Sequence, residues 1–200
     1  MASRLRIFIS AGPDLETERE VMGKAIASLP VSLGWVIKYT PLHGEPSDSA
    51  FQAVESCDFY ALLLGRDITA PVGSELRVAR QSGKRIAAFL KEVPHTPAAQ
   101  VFVRQCPVQW KRFGSEGTLR SLLQKAIVDQ ILGQADSYRI TDADWQALLS
   151  LSAQLDEEVP EGKDETTPPH RGAGSDAVII SPQRDLPSEG VLIERRHDSF

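Results

Sequence analysis

Two short stretches of this chain put chemically capable groups where a parallel sheet would present them. The first is Ser10-Ala11-Gly12-Pro13, a small-residue corner between an apolar strand and a charged helix. Its glycine permits close backbone approach, and the amide N–H groups entering the next helix can meet a phosphate or a ribose. The second is Gly73-Ser74-Glu75, at the start of a helix expected over residues 74–82. A carboxylate in that first turn can act as a nucleophile or stabilise a developing positive charge. The bland alternative is a solvated glutamate that only meets the helix dipole. Asp67 lies in the loop 66–73, at the carboxyl end of a strand, and is a weaker candidate. Glu75 is thus the catalytic candidate, and Ser10, Ala11, Gly12, Pro13, Asp67 and Ser74 are the substrate-binding candidates.

These positions matter because of the elements around them. Leu5, Ile7, Phe8 and Ile9 form an apolar run that suits a central strand, and residues 58–65 are the most hydrophobic stretch of the chain. Further strands are expected over 34–42 and 85–91, with a short edge strand over 108–113. Helices are expected over 14–29, 47–57, 74–82, 96–106, 118–132 and 141–155. Asp14 reads as the N-cap of the first helix, with Glu16 and Glu18 in its first turn. Glu18 and Arg19 read as surface charges or a structural ion pair, and Asp58 as a turn or edge residue. Strands alternating with helices at this rhythm mean βαβ units with right-handed crossovers. The fold expected is α/β: a doubly wound, mainly parallel sheet of four or five strands in the order 2-1-3-4(-5). Ligands of such folds bind in the crevice at the strands' carboxyl ends.

The chain divides by composition into an α/β domain over 1–115, a helical extension over 116–155 and a tail over 156–200. The tail is polar, charged and proline-bearing, so it cannot bury enough surface to offset ordering entropy, and disorder is expected. Two β-like runs inside it, around Val178 and Val191, could add a strand to a partner's sheet or be hydrophobes without a role.

Of the 200 residues, 42% are hydrophobic and 24% charged, which suits a globular core. A formal net charge of −5 argues against a chain built to grip nucleic acid or an anionic membrane. No apolar run approaches a membrane span, and no signal-peptide pattern opens the chain, so a cytoplasmic location is expected. Cys57 and Cys106 form no CxxC pair and read as reduced thiols. His43, His95, His170 and His197 are far apart, so neither a metal nor a cofactor is expected. Walker, GxGxxG and GxSxG patterns are absent. Arg77, Arg80, Lys84 and Arg85 form a local basic cluster that reads first as a solvated face, second as a contact for a partner or phosphate.

Phe8-Ile9-Ser10, Asp14-Leu15 and Glu18-Arg19 resemble the opening motif of the family called domain of unknown function 4062. Ser56-Cys57-Asp58 with the strand after it, Ser74-Glu75 with Ala79, and Gly83-Lys84-Arg85-Ile86 resemble its later blocks. The resemblance covers about residues 4–92. It implies a flavodoxin-like fold similar to TIR domains and nucleoside 2-deoxyribosyltransferases, often alongside signalling NTPases of defence systems. Ala11-Gly12-Pro13 resembles the transferases' A-G-P turn, and Glu75-x-x-x-Ala79 resembles the helix carrying their nucleophilic glutamate. The chain departs from these patterns at Ala11-Gly12, at Leu76-Arg77 and in the loop 66–73.

The resemblance implies cleavage or transfer at the N-glycosidic bond of NAD or a nucleotide, with Glu75 as the key carboxylate. Such a reaction passes through an oxocarbenium-like transition state. It also implies a signalling NTPase or another system protein as partner, and a homo-oligomer. The rivals are a non-catalytic adaptor of the same fold and a nucleotide sensor without turnover. The setting of Glu75 separates them: an open pocket beside residues 10–12 favours chemistry or ligand binding, and a covered carboxylate favours the adaptor.

Overall fold

The apolar run Ile7-Phe8-Ile9 within Arg4–Ser10 (β1) and the wholly apolar Phe59–Leu64 (β3) place both in the middle of the sheet, with all six residues of β3 buried. The computed structural model describes residues 4–41 and 47–158. Gly34–Tyr39 (β2), Ile86–Lys91 (β4) and Trp110–Phe113 (β5) complete a sheet of five parallel strands in the order β2-β1-β3-β4-β5. The fold is therefore α/β and flavodoxin-like, with the order expected from the sequence. Phe8 sits beside Tyr60 in the β1–β3 register, and their rings stack with centroids 5.9 Å apart. No helix among the described residues is long and apolar enough to cross a membrane.

Alternation along the strands divides the interior in two. Ile7, Ile9, Ala61, Leu63 and Phe89 pack under Glu16–Ala27 (α1) and Glu116–Gly133 (α5). Phe8, Tyr60, Leu62 and Ala88 pack under Ser47–Ser56 (α2) and Ala70–Gln81 (α3). Pro97–Gln105 (α4) lies beyond, where Ala99 joins Leu64 and Leu90. Three of these helices, α3, α4 and α5, enter by recognisable chemistry. Thr96 caps α4 by accepting from the Ala99 N–H, and Ser115 caps α5 by accepting from the Thr118 N–H. Pro71 and Pro97 occupy first-turn positions, where the missing N–H would have had no partner.

That tolerance for proline corrects one sequence expectation. The helix read as beginning at Ser74 begins at Ala70, because Pro71 belongs inside its first turn rather than in the loop. Glu75 therefore stands in the second turn, facing inward. Asp14 is also not an N-cap. It lies in a single 3-10 turn, Pro13–Leu15, and neither that turn nor α1 has a side-chain cap.

Of the residues expected as a helical extension, α5 covers the sheet through Leu119, Leu123, Ile127 and Ile131. A one-turn helix, Ala135–Tyr138 (α6), ends in the left-handed Arg139. It leads to Asp142–Glu158 (α7), which runs past the expected end at Leu155. There Lys125 Nζ binds Ser152 and Asp156, and Glu158 accepts from Ser121, so α7's last turn is tied to α5. The tail with Val178 and Val191 lies outside the described residues.

Leu148 is the fully buried residue by which α7 joins the core. Leu148→Ala should cost about 2–5 kcal/mol in urea unfolding, the usual range for a buried leucine truncation. A cost well under about 1 kcal/mol would show that α7 is not packed as described.

Candidate functional site

The carboxyl edge of β1 gathers the groups singled out from the sequence, but it gathers them inward. Glu75 is only 1% exposed. Ser10, the last residue of β1, donates its hydroxyl to Glu75 Oε2 at 2.5 Å. Thr40, just after β2, donates to the same oxygen at 2.7 Å. Thr40 Oγ1 in turn accepts from the Ala11 N–H at 3.2 Å. One carboxylate oxygen thus ties α3 to the ends of β1 and β2. The other, Oε1, is buried and has no hydrogen-bond partner, as do Arg19 Nη1 and the Tyr60 hydroxyl.

This environment disfavours the ionised carboxylate. Burial pushes the Glu75 pKa above the usual carboxylate range, and the Ser10 and Thr40 hydroxyls, with the Arg19 cation, only partly oppose it. Burial likewise pushes the Tyr60 phenol up. Arg19 is itself buried, donating through Nη2 to the Thr40 carbonyl at 2.7 Å, with its guanidinium 5.1 Å from the centroid of the Tyr39 ring. Glu18 is buried too and pairs with Lys91 at the end of β4, 2.6 Å away. Neither Glu18 nor Arg19 is the surface charge that a helical face led one to expect, and they are not paired with each other. Asp58 is the edge residue expected, held by the backbone and guanidinium of Arg6.

The remaining candidates are dispersed. Gly12 is buried and Pro13 is exposed, opening the 3-10 turn. Ser74 is half-buried and takes no part in the hydrogen bonds around Glu75. Asp67 is exposed and works as a fastener: its Oδ1 accepts from the Thr96 hydroxyl at 2.6 Å and from the Ile68 N–H at 2.8 Å. The Thr96 hydroxyl bond is the main cause holding the Asp67 pKa below the usual range. Asp14 reaches from the β1 loop to the β3 loop, where its Oδ2 accepts from the Arg66 N–H at 2.9 Å. This bridge crosses the β1/β3 switch point, where flavodoxin-like folds commonly bind ligands. It needs glycine at Gly65, since a Cβ there would collide with the Asp14 carboxylate and crowd Leu15.

Three partners of the site escaped the sequence reading: Thr40, Arg19 and Tyr60. A threonine directly before Pro41, at the carboxyl end of a strand beside β1, was the available signal for the first. Two grooves open elsewhere. One lies between α3 and α4, and one is lined by Asp14, Arg66, Lys91, Val93 and Pro94; Glu75 lines neither.

Among solved structures, a Clostridium botulinum CMP N-glycosidase, BcmB, is similar to this chain at 19% identity and a TM-score of 0.41, over 61% of this chain and 98% of that one. No family model and no curated protein matches the chain.

The raised pKa of Glu75 has a definite consequence for stability. The folded chain keeps this proton at pH values where the unfolded chain has released it. Stability from the group is therefore full below the ordinary carboxylate range and is lost as pH rises through the raised pKa. Glu75→Gln keeps an oxygen to accept both hydroxyls but does not titrate. Urea unfolding over a pH series should show the variant gaining on the wild type as pH rises through that window. A difference that is flat with pH, or that moves the other way, contradicts the environment described.

Proposed function

We propose that this chain is a nucleotide-directed α/β domain in which Glu75 acts at an N-glycosidic bond, and that the isolated chain holds this group sheathed. The observation that carries the reading is the placing of Glu75 at the carboxyl edge of β1 with Oε1 free of hydrogen bonds; its being covered is the outcome that the sequence criterion assigns to the adaptor. Oε1 is the atom that fastening Ser10 and Thr40 does not use. Resemblance to the nucleoside 2-deoxyribosyltransferases at Ala11-Gly12-Pro13 and Glu75-x-x-x-Ala79 supports the same assignment.

In the proposed reaction the Ser10 and Thr40 hydroxyls orient Oε2 and leave Oε1 for the anomeric carbon. Oε1 stabilises the positive charge there, or bonds to it, as the N-glycosidic bond breaks and the base leaves with the electron pair. Water then adds to the anomeric carbon, displacing Oε1 where that oxygen has bonded to it. The water's proton goes to the departing base of a nucleotide, or to solvent for NAD, whose nicotinamide leaves neutral, and the sugar is released. NAD and nucleotides are the proposed substrates. Domains resembling TIR are often active only when assembled, so a homo-oligomer, or a complex with a signalling NTPase in a defence setting, is the state proposed to uncover Oε1.

The burial of Glu75 favours a second reading, a non-catalytic adaptor in which the carboxylate is a polar fastener. Base release from NAD, nucleosides and nucleoside monophosphates separates the two, measured on dilute and on concentrated, assembled protein. The enzymatic reading expects release by assembled wild type and a loss of about 1,000-fold or more in Glu75→Gln with folding intact. If assembled protein shows no release that depends on Glu75, the adaptor reading takes its place.

A further inference from the structure

The four basic residues that neighbour one another in sequence part company in the fold. Arg85 turns toward α5, donating to Gln130 at 3.1 Å. Arg77 and Arg80 instead stay exposed on α3 and line the groove of about 510 Å³ between α3 and α4. They stand one turn apart on the same helix face. Neither has a carboxylate partner among the described residues. Between them the groove has an apolar floor of Phe102 and Cys106 from α4, with the nearly buried Leu76 of α3 beneath, and Gln81 and Gln105 add polar groups to its walls. Toward the start of α3, Gly73 leaves it open, since a Cβ there would meet nothing within 4 Å.

We propose that this groove docks an acidic amphipathic helix from a partner protein. Apolar side chains of that helix would lie on Phe102 and Cys106, and carboxylates one turn apart would pair with Arg77 and Arg80. Charge complementarity selects this occupant. Two cations one turn apart beside an apolar floor discriminate locally against a basic helix, even though the chain as a whole is net negative. A small phosphate ligand would use the arginines and leave the apolar lining uncovered. A nucleic acid would need a longer basic track than two residues. The groove is independent of Glu75 and stands whether or not that residue is catalytic.

The test uses the full chain and two labelled helical peptides of about four turns that share a leucine stripe. One carries glutamates on its flanks and the other lysines. Fluorescence anisotropy should show the acidic peptide binding about tenfold or more tighter than the basic one. R77E/R80E, both at exposed positions, should weaken the acidic peptide by at least about tenfold and narrow or reverse the preference. Cys106 supplies a readout inside the groove: bound acidic peptide should slow its alkylation, while the buried Cys57 serves as the unreactive control. Equal binding of both peptides, binding unaffected by R77E/R80E, or undiminished Cys106 alkylation would overturn the proposal. So would competition by inorganic phosphate or single-stranded RNA stronger than an equal concentration of chloride produces, since it would assign the arginines to a phosphate ligand.

Discussion

Three elements meet on one carboxylate oxygen. Glu75 Oε2 receives hydroxyls from the end of β1 and from the residue after β2, and Glu75 itself is carried by α3. Thr40 also receives the Ala11 N–H and, through its carbonyl, the buried Arg19. The backbone corner after β1, the β2 terminus and the first and third helical crossovers are thereby referred to a single buried group. Its worth is double-edged. Hydroxyl bonds to a charged acceptor are among the stronger ones, yet removing a carboxylate from water with one oxygen unmatched is expensive. A fold that keeps such a group at the carboxyl edge of a parallel sheet is keeping it for its chemistry or for its precision.

The neighbouring switch point is settled by a different device. Asp14, Gly65 and Arg66 close the gap between the β1 and β3 loops, and Asp67 with Thr96 fastens the β3 loop to the start of α4. Here the acidic side chains hold backbone and hydroxyl groups, so two of the most plausible-looking carboxylates serve as structure. Glu75 differs from them in that its second oxygen is buried and without a hydrogen-bond partner.

Much of the architecture was legible in the residues. The apolar runs in β1 and β3 called for adjacent central strands, from which the 2-1-3-4-5 order was read, and the alternation of strands and helices called for parallel pairing. The start of α3 was not legible, because Pro71 signals a loop and a first helical turn equally well. Nor were the partners of Glu75. Thr40 reaches it only through the β1–β2 pairing, and Arg19 and Glu18 are buried because the ends of β2 and β4 supply a carbonyl and a lysine. Such contacts depend on tertiary neighbours that local spacing does not encode. For the same reason the basic cluster looked uniform in sequence, although the fold sends Arg85 toward α5 and leaves Arg77 and Arg80 on the α3–α4 groove.

Everything said of Glu75 rests on its being a desolvated carboxyl with one unmatched oxygen. The most direct test is a carbon-13 NMR titration of the glutamate side-chain carboxyls in the folded chain. It should show one resonance, absent from Glu75→Gln, titrating above the ordinary glutamate midpoint of about 4.3. A Glu75 resonance that titrates at or below that midpoint would mean the carboxylate is well solvated or fully paired, and would contradict the account.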